Sequence, residues 1–392
     1  MSSAFRGRTK PGPRLVRSLT VRFFATAAKG TEPALRDELR ELRVPGVRAD
    51  RGGVHFEGGL ADAARACLWS RVAARVLLEV ATFEAYDGDA LYAGVRAIDW
   101  TEWMTPRTTL AVRATCRSGR LTHSQFIAQK TKDAVVDALR DSAGARPSVD
   151  RDDPDVGVAV HIVRDRAKVY IDAGGGSLHE RGWRAQGGAA PLRENLAAAV
   201  VRLSGWDRRS PLLDPMCGAG TLAIEAAAWA HRVAPGLSRA RFGLERWADH
   251  DDAARAAMRE LRQRASDARL PAGPDVPTIR ASDIDERALA RTRENARAAG
   301  LEVVVERRDA RSIAPLVPAG AVVTNPPYGE RLEADRSLYD GMARSLLALH
   351  GHTIAVLAGT PAIAQAMGRD PDRWWALYNG PIECRLLVYG IP

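Results

Sequence analysis

The sequence of 392 residues is poor in cysteine, poor in lysine and free of long apolar runs. Its four cysteines are Cys67, Cys116, Cys217 and Cys384, and no two of them form a C-x-x-C pair. That spacing excludes zinc ribbons and thioredoxin-like redox motifs. The eight histidines are scattered; His350 and His352 lie close together, but no acidic or thiol partner is spaced to complete a metal site, so no metal is expected. No apolar stretch approaches the roughly 18–20 residues that span a bilayer, and the longest, such as Thr221–Ala230, are short and rich in alanine. Few cysteines without a signal peptide point to a reducing cytoplasm. Cys67, Cys116 and Cys384 then read as small buried hydrophobes. Five lysines stand against 52 arginines, a bias that GC-rich codon usage accounts for. With 46% apolar and 27% charged residues, neither a disordered nor a collagen-like chain is admissible, and the length suits two or three domains.

The formal charge is +9, and much of it is local. Residues 1–20 carry Arg6, Arg8, Lys10, Arg14 and Arg17 with no acid, and read as a basic disordered tail. Such a tail neutralises phosphates, is merely solvated, or is an organellar leader, although it lacks an amphipathic stretch.

Beyond the tail, Val21–Thr26 reads as a strand. Thr31 as cap and Pro33 in the first turn open a helix with Leu35, Leu39 and Leu42 on one face, and Pro45-Gly46 stops it. Arg51-Gly52-Gly53 is a hairpin-like turn. A helix is expected over residues 60–74, a strand at Arg75–Thr82, and a helix from His123 to Asp141 capped by Thr122, with Phe126, Ala134, Val135 and Leu139 facing inward. Asp150–Asp155 is an acidic, solvated loop, and Val156–Val163 with Lys168–Ile171 makes a hairpin. Gly174–Gly176 reads as a linker, not a phosphate loop, because the Gly-Lys-Ser/Thr ending is missing.

From residue 210 strands and helices alternate, as in a parallel α/β sheet. The strands are Pro211–Leu213, Thr278–Ser282, Glu302–Glu306, Ala321–Thr324, Thr353–Leu357 and Cys384–Tyr389. The helices include Leu222–His231, Glu286–Ala299, Leu338–His350 and Ala362–Met367. An arginine-rich insertion runs from Val233 to Pro277.

Four motifs carry the chemistry. Asp214-Pro215-Met216-Cys217-Gly218-Ala219-Gly220-Thr221 is strand, tight turn and helix start, where glycines admit a ligand to the backbone and free N–H groups meet it. The second strand ends at Asp283 and Ile284, with a carboxylate placed for ribose hydroxyls; Asp285 is the better helix cap. The third leads to Asp309 and Ala310, with a carboxylate placed to accept from an adenine amine. The fourth ends in Asn325-Pro326-Pro327-Tyr328. All four fall at the carboxyl ends of strands, where open α/β sheets bind ligands.

In that order they resemble the class I S-adenosyl-L-methionine-dependent methyltransferases, and Asn-Pro-Pro-Tyr resembles the members that methylate amines. The aryl amine is a weak nucleophile. The Asn325 oxygen and the Pro326 carbonyl would accept its two hydrogens, the prolines would fix the turn, and Tyr328 would offer a ring on which the base stacks.

Phe23–Gly30 with Glu32, Gly52–Phe56, Leu68–Arg71, Lys132–Asp137, Val149–Asp152, Leu178–Gly182, Ala190–Ala197, Asn325–Leu332 and Asn379–Cys384 resemble one family more closely. It is the bacterial 23S rRNA guanine-N2-methyltransferases with a THUMP domain, of the type without the fused N7-guanine methyltransferase, since this sequence ends where that half begins. The resemblance implies a tail (1–20), a ferredoxin-like unit (21–64), an α+β THUMP domain that binds RNA (65–173), a linker and first helix (174–209) and a class I methyltransferase domain with a Rossmann-like sheet (210–392). It implies S-adenosyl-L-methionine as cofactor, 23S rRNA or a pre-ribosomal particle as partner, and the insertion, with Arg239, Arg241 and Phe242, as a lip over the target base. A tRNA guanine-N2 methyltransferase of the THUMP type is the near alternative, and a non-catalytic ribosome-assembly protein the distant one. DNA adenine and protein glutamine methylation share Asn-Pro-Pro-Tyr, but the front half argues against both.

Overall fold

The computed structural model describes residues 21–184, 192–328 and 336–392; the basic tail lies outside them. Two sheets organise the chain. The front sheet contains β1 (Val21–Thr26), β2 (Arg48–Asp50), β3 (Gly53–Gly58), β4 (Arg75–Glu84), β5 (Thr109–Arg117), β6 (Ser148–Val149), β7 (Val156–Val163) and β8 (Arg166–Asp172), in the order β2-β3-β1-β4-β8-β7-β5-β6. The sheet is continuous across residues 64 and 65, because β4 pairs with β1 on one side and β8 on the other. One face, with Phe23, Phe56, Val76, Val158, Val160 and Val169, is buried under α1 (Glu32–Glu41), α2 (Leu60–Trp69), α3 (Gly88–Arg96) and α4 (Ser124–Ala143).

Local chemistry corrects several helix ends. Thr31 precedes α1, but its hydroxyl donates to the Ala28 carbonyl and leaves the helix start uncapped. The helix α2 stops at Trp69, five residues before its expected end. The buried Glu38 carboxylate takes the Ser70 hydroxyl and the N–H groups of Arg71 and Val72, pulling the chain out of helical geometry. The cap of α4 is His123, not Thr122: its Nδ1 accepts from the Phe126 N–H at 3.1 Å. Phe126 itself faces solvent, whereas Ala134, Val135 and Leu139 are buried. Cys67 and Cys384 are buried as expected, but Cys116, near the end of β5 and beyond its short pairing with β6, is only half-buried.

The back sheet contains β9 (Leu212–Asp214), β10 (Ile279–Asp283), β11 (Val304–Arg307), β12 (Ala321–Thr324), β13 (Thr353–Ala358), β14 (Arg373–Asn379) and β15 (Ile382–Gly390), in the order β11-β10-β9-β12-β13-β15-β14. Its helices are α5 (Glu194–Leu203), α6 (Thr221–Ala230), α7 (Asp252–Asp267), α8 (Glu286–Ala298), α9 (Arg336–Leu347) and α10 (Pro361–Met367). The first five strands are parallel. The last two form an antiparallel hairpin that the alternation did not reveal, closed by a two-residue turn at Gly380-Pro381. Chain order reverses beside β9, which pairs with β10 on one side and β12 on the other.

A buried ionic clasp joins the halves. Arg71 donates to the carbonyls of Ala228 and Val233, Arg181 donates to the Arg71 carbonyl, and both guanidiniums face Glu225. The insertion completes this junction and is no lip. Arg239 donates to the carbonyls of Ser177 and Gly175, and Phe242 is fully buried in the front core beneath Arg262. Burying that ring contributes ~1.5–3 kcal/mol, enough to outweigh any exposed role. Arg241 alone of the three stays exposed.

Candidate active site

The carboxyl ends of β9, β10 and β12 open into a cavity of about 570 Å³. Its wall contains Asp214, Pro215, Met216, Cys217, Gly218 and Thr221 from the first motif, Asp283 and Ile284 from the second, Asp309 and Ala310 from the third, and Asn325 and Pro327 from the fourth. Gly220, Pro326 and Tyr328, the other residues of these motifs, adjoin lining residues in sequence but do not line the cavity themselves.

The turn after β9 is built for close approach. Gly218 has φ +55, and nothing lies within 4 Å of where a Cβ would project, so the glycine leaves open space on the cavity side. Gly220 has φ +81, and a Cβ there would stand 2.7 Å from the Thr292 methyl of α8. From α8, Thr292 donates to the Gly218 carbonyl at 3.0 Å and Asn295 to the Ala219 carbonyl at 2.9 Å. These two residues, one turn apart on a buried helical face, escaped the motif reading. Only their polarity among inward-facing positions signalled them.

Three carboxylates differ in setting. Asp283 accepts the Gly218 N–H and the Asp285 N–H, both at 3.0 Å, and Asp285 caps α8. Asp309 is gripped by Arg311, whose Nε and Nη2 donate to its two oxygens; that hydrogen bonding holds its carboxyl below the usual range. Asp214 is fully enclosed. Burial pushes its pKa up to about 7 against the pull of the Met216 N–H, and Asp283 adds to the rise.

Asn325 is the exceptional group. Asn325 lines the cavity, and its Oδ1 is buried and accepts no hydrogen bond among the described residues. A lone buried acceptor costs roughly 1–3 kcal/mol, so it marks a place where a donor is awaited. Tyr339 donates to the Pro327 carbonyl at 2.7 Å and steadies the turn. The Tyr328 hydroxyl accepts from Asn379 at 2.9 Å and from the Cys384 thiol at 3.6 Å, while the ring lies against Gly359. Burial raises that phenol far above its ordinary value, which removes it as a base at neutral pH. The structure thus gives Tyr328 a task the sequence did not show: it anchors the Asn-Pro-Pro turn to the β14–β15 hairpin.

Residues 181–387 match a family described as RMKL-like, methyltransferase domain. The chain belongs to this family. Residues 22–77 match the RlmL ferredoxin-like domain and residues 85–172 the THUMP domain. The ribosomal RNA large subunit methyltransferase K/L of Syntrophotalea carbinolica is 45% identical over 95% of this chain, and that of Methylococcus capsulatus 42%. The chain spans about half the length of these curated relatives, 54% and 52%. Among solved structures, SMU.472, a candidate methyltransferase complexed with SAH, is 31% identical with TM-score 0.86, covering 95% of this chain and 98% of its own. A protein from Listeria monocytogenes, named as a predicted N6-adenine-specific DNA methylase, is 30% identical with TM-score 0.84, covering 95% and 97%. The chain thus carries this family's methyltransferase domain, and the SAH held by SMU.472 is what S-adenosyl-L-methionine becomes once its methyl is given up. The cavity fits that donor: it offers carboxylates for hydroxyl and amine donors, apolar side chains such as Met216 and Ile284 for a ring, and the open side of Gly218.

Proposed function

We propose that the protein methylates the exocyclic N2 amine of a guanosine in 23S rRNA, working in the cytoplasm on the RNA or a pre-ribosomal particle. The bound donor would supply an electrophilic methyl group. Asp283 would hold its ribose hydroxyls, Asp309 its adenine amine and Ile284 one face of its ring, with the Gly218 turn beneath. Asn325 would accept one hydrogen of the guanine amine and the Pro326 carbonyl the other, drawing the nitrogen toward tetrahedral geometry and aiming its lone pair. The rest is in-line positioning, with no general base of this chain required before transfer.

The observation that carries this reading is the partnerless buried Oδ1 of Asn325, a residue of the wall shared with Asp283 and Asp309. An amine-bearing acceptor satisfies it and has a second hydrogen for the Pro326 carbonyl, whereas a hydroxyl has only one hydrogen to give and a carbon acceptor none. The K/L names of the relatives and the THUMP match favour ribosomal RNA among amine-bearing substrates. The test is incubation of the protein with labelled donor and, separately, 23S rRNA from a strain lacking the enzyme, tRNA and DNA, followed by nucleoside mass analysis. N2-methylguanosine in 23S rRNA is expected. Label only in tRNA supports the tRNA reading, N6-methyladenine in DNA the activity named for the Listeria protein, and no label in any the assembly-protein reading.

A further inference from the structure

Two of the sequence stretches singled out above, Phe23–Gly30 with Glu32 and Asn379–Cys384, contribute no residue to the cavity wall, yet the fold brings them together. Among the described residues β14 is the outermost strand of the back sheet and pairs only with β15. The loop between β1 and α1 covers it. Lys29 sets its ammonium 3.6 Å from the centre of the Tyr378 ring. Beside it, Gly30 lies so close to β14 that a Cβ would stand 2.0 Å from the Ala376 carbonyl oxygen, and its φ of +91 also suits glycine.

The loop is shaped by its own unit and not by β14. Glu32 accepts the Gly30 N–H at 2.7 Å with one oxygen and the Gly52 N–H at 3.0 Å with the other. The Ala28 carbonyl takes both the N–H and the hydroxyl of Thr31. With those bonds made, the loop meets β14 as a preformed surface. At its far end α1 is pinned to α5, where Glu41 accepts from Arg202 at 2.6 Å. With the clasp at Glu225, the halves thus have two junctions that do not involve Lys29.

Successive side chains of a strand point to opposite faces, and the other face of the hairpin meets the amine-site turn. Tyr378 donates to Glu383 across the strand pair, whereas Asn379, the next residue, donates to the Tyr328 hydroxyl. The Tyr328 ring packs on the core that holds Leu377, Cys384 and Leu386 of the same hairpin. A shift of the hairpin carries the ring with it, and with the ring the turn that bears Asn325. Loss of the hydroxyl alone leaves that packing in place. In-line transfer is sensitive to such shifts, since a misplacement of about 1 Å costs up to ~100-fold in rate.

We propose that Lys29 and Gly30 are positioning residues for methyl transfer, which fix the β14–β15 hairpin and, through Tyr328, the aim of Asn325 at the acceptor amine. The inference rests on the function reading above. It joins the front unit to the reacting atoms by packing, through residues that touch neither donor nor acceptor.

Lys29→Ala, Lys29→Arg and Gly30→Ala in the full chain test this. The measurements are SAH calorimetry, single-turnover transfer to 23S rRNA from a strain lacking the enzyme, and amide hydrogen exchange of segments 321–328 and 373–390. Lys29→Ala should lower the single-turnover rate about two- to fivefold, the span of one exposed cation–π contact. SAH affinity and the half-saturating RNA concentration should stay at wild-type values. Exchange should quicken in both segments and not at β9 or β10. Lys29→Arg keeps a cation over the ring and should restore both rate and exchange. Gly30→Ala should cost more rate, because its Cβ cannot fit against Ala376; should that variant fail to fold, the two lysine variants still decide. A wild-type rate in Lys29→Ala, whether or not exchange quickens, overturns the positioning role and leaves the function reading standing. Equal losses in Lys29→Ala and Lys29→Arg overturn it as well, and so does a loss confined to SAH affinity or to half-saturation. A wild type that labels no RNA overturns the function reading and the positioning role together.

Discussion

Two glycine-rich turns in this chain are each folded around an aspartate, and they end up with opposite tasks. At Gly174–Gly176 three successive N–H groups donate to the Asp172 carboxylate, which Arg75 also grips. The carboxylate is 6% exposed, and a Cβ on Gly175 would meet the Gly243 backbone of the insertion at 2.5 Å. The insertion packs against that turn, and its N–H groups are spent on the enclosed carboxylate. At Gly218–Gly220 one N–H reaches Asp283, and the remaining side is open cavity. Glycine plus carboxylate therefore does not define a ligand site. What decides is whether tertiary neighbours close over the turn.

The comparison predicts a separation of phenotypes. The largest effect is expected for Asp172→Ala, which leaves three N–H groups and the Arg75 guanidinium, itself 22% exposed, without their anion. Breaking such a pair costs ~3–5 kcal/mol, the lower end being apt where one partner is partly hydrated. Denaturant unfolding should show that loss while SAH affinity of the folded fraction stays unchanged; weakened affinity would mean the two turns are coupled.

Asn325→Ala should act on rate alone. By analogy with a lost oxyanion-hole donor, ~2.7–4 kcal/mol of barrier is at stake, with SAH binding within severalfold of wild type. A single-turnover rate near that of the wild type would remove Asn325 from the amine site.

For the open turn, Asp283→Ala should weaken SAH by about 1.5–3 kcal/mol, the range for charge-assisted hydrogen bonds, with a smaller change in stability than Asp172→Ala. Calorimetry that finds unaltered SAH affinity would reduce Asp283 to a brace for Gly218.

The smallest effect belongs to Tyr328→Phe. Losing the hydroxyl takes this acceptor from Asn379, while the Cys384 thiol keeps the Ile382 carbonyl, a change of about 0.5–1.5 kcal/mol in stability. Methyl transfer should persist, because the raised phenol takes no part in proton transfer at neutral pH. Loss of transfer comparable to that of Asn325→Ala would show that anchoring to the hairpin is itself needed for aim.

Much of this molecule was legible from local sequence. The strand at Ala321–Thr324, the start of α8 behind the Asp285 cap and the β7–β8 hairpin were read from residues close in sequence. The four motifs that meet at the cavity were equally plain, because each is a strand end followed by a turn. Local pattern misjudged α2, the cap of α4 and the insertion. In α2 the deciding partner, Glu38, lies 32 residues from Ser70, and helical periodicity carries no information about such a partner.

By itself, then, the sequence determined the alternating strands and helices of the back sheet and the order of the strand ends that meet at its cavity. These follow from backbone preference and side-chain type within a few residues. Tertiary structure alone decided which glycine turn stays open, that Phe242 is core and not lip, and that Tyr328 is tied to Asn379 and Cys384, 51 and 56 residues away. Those outcomes depend on which groups burial brings into contact, and burial is a property of the packed chain as a whole.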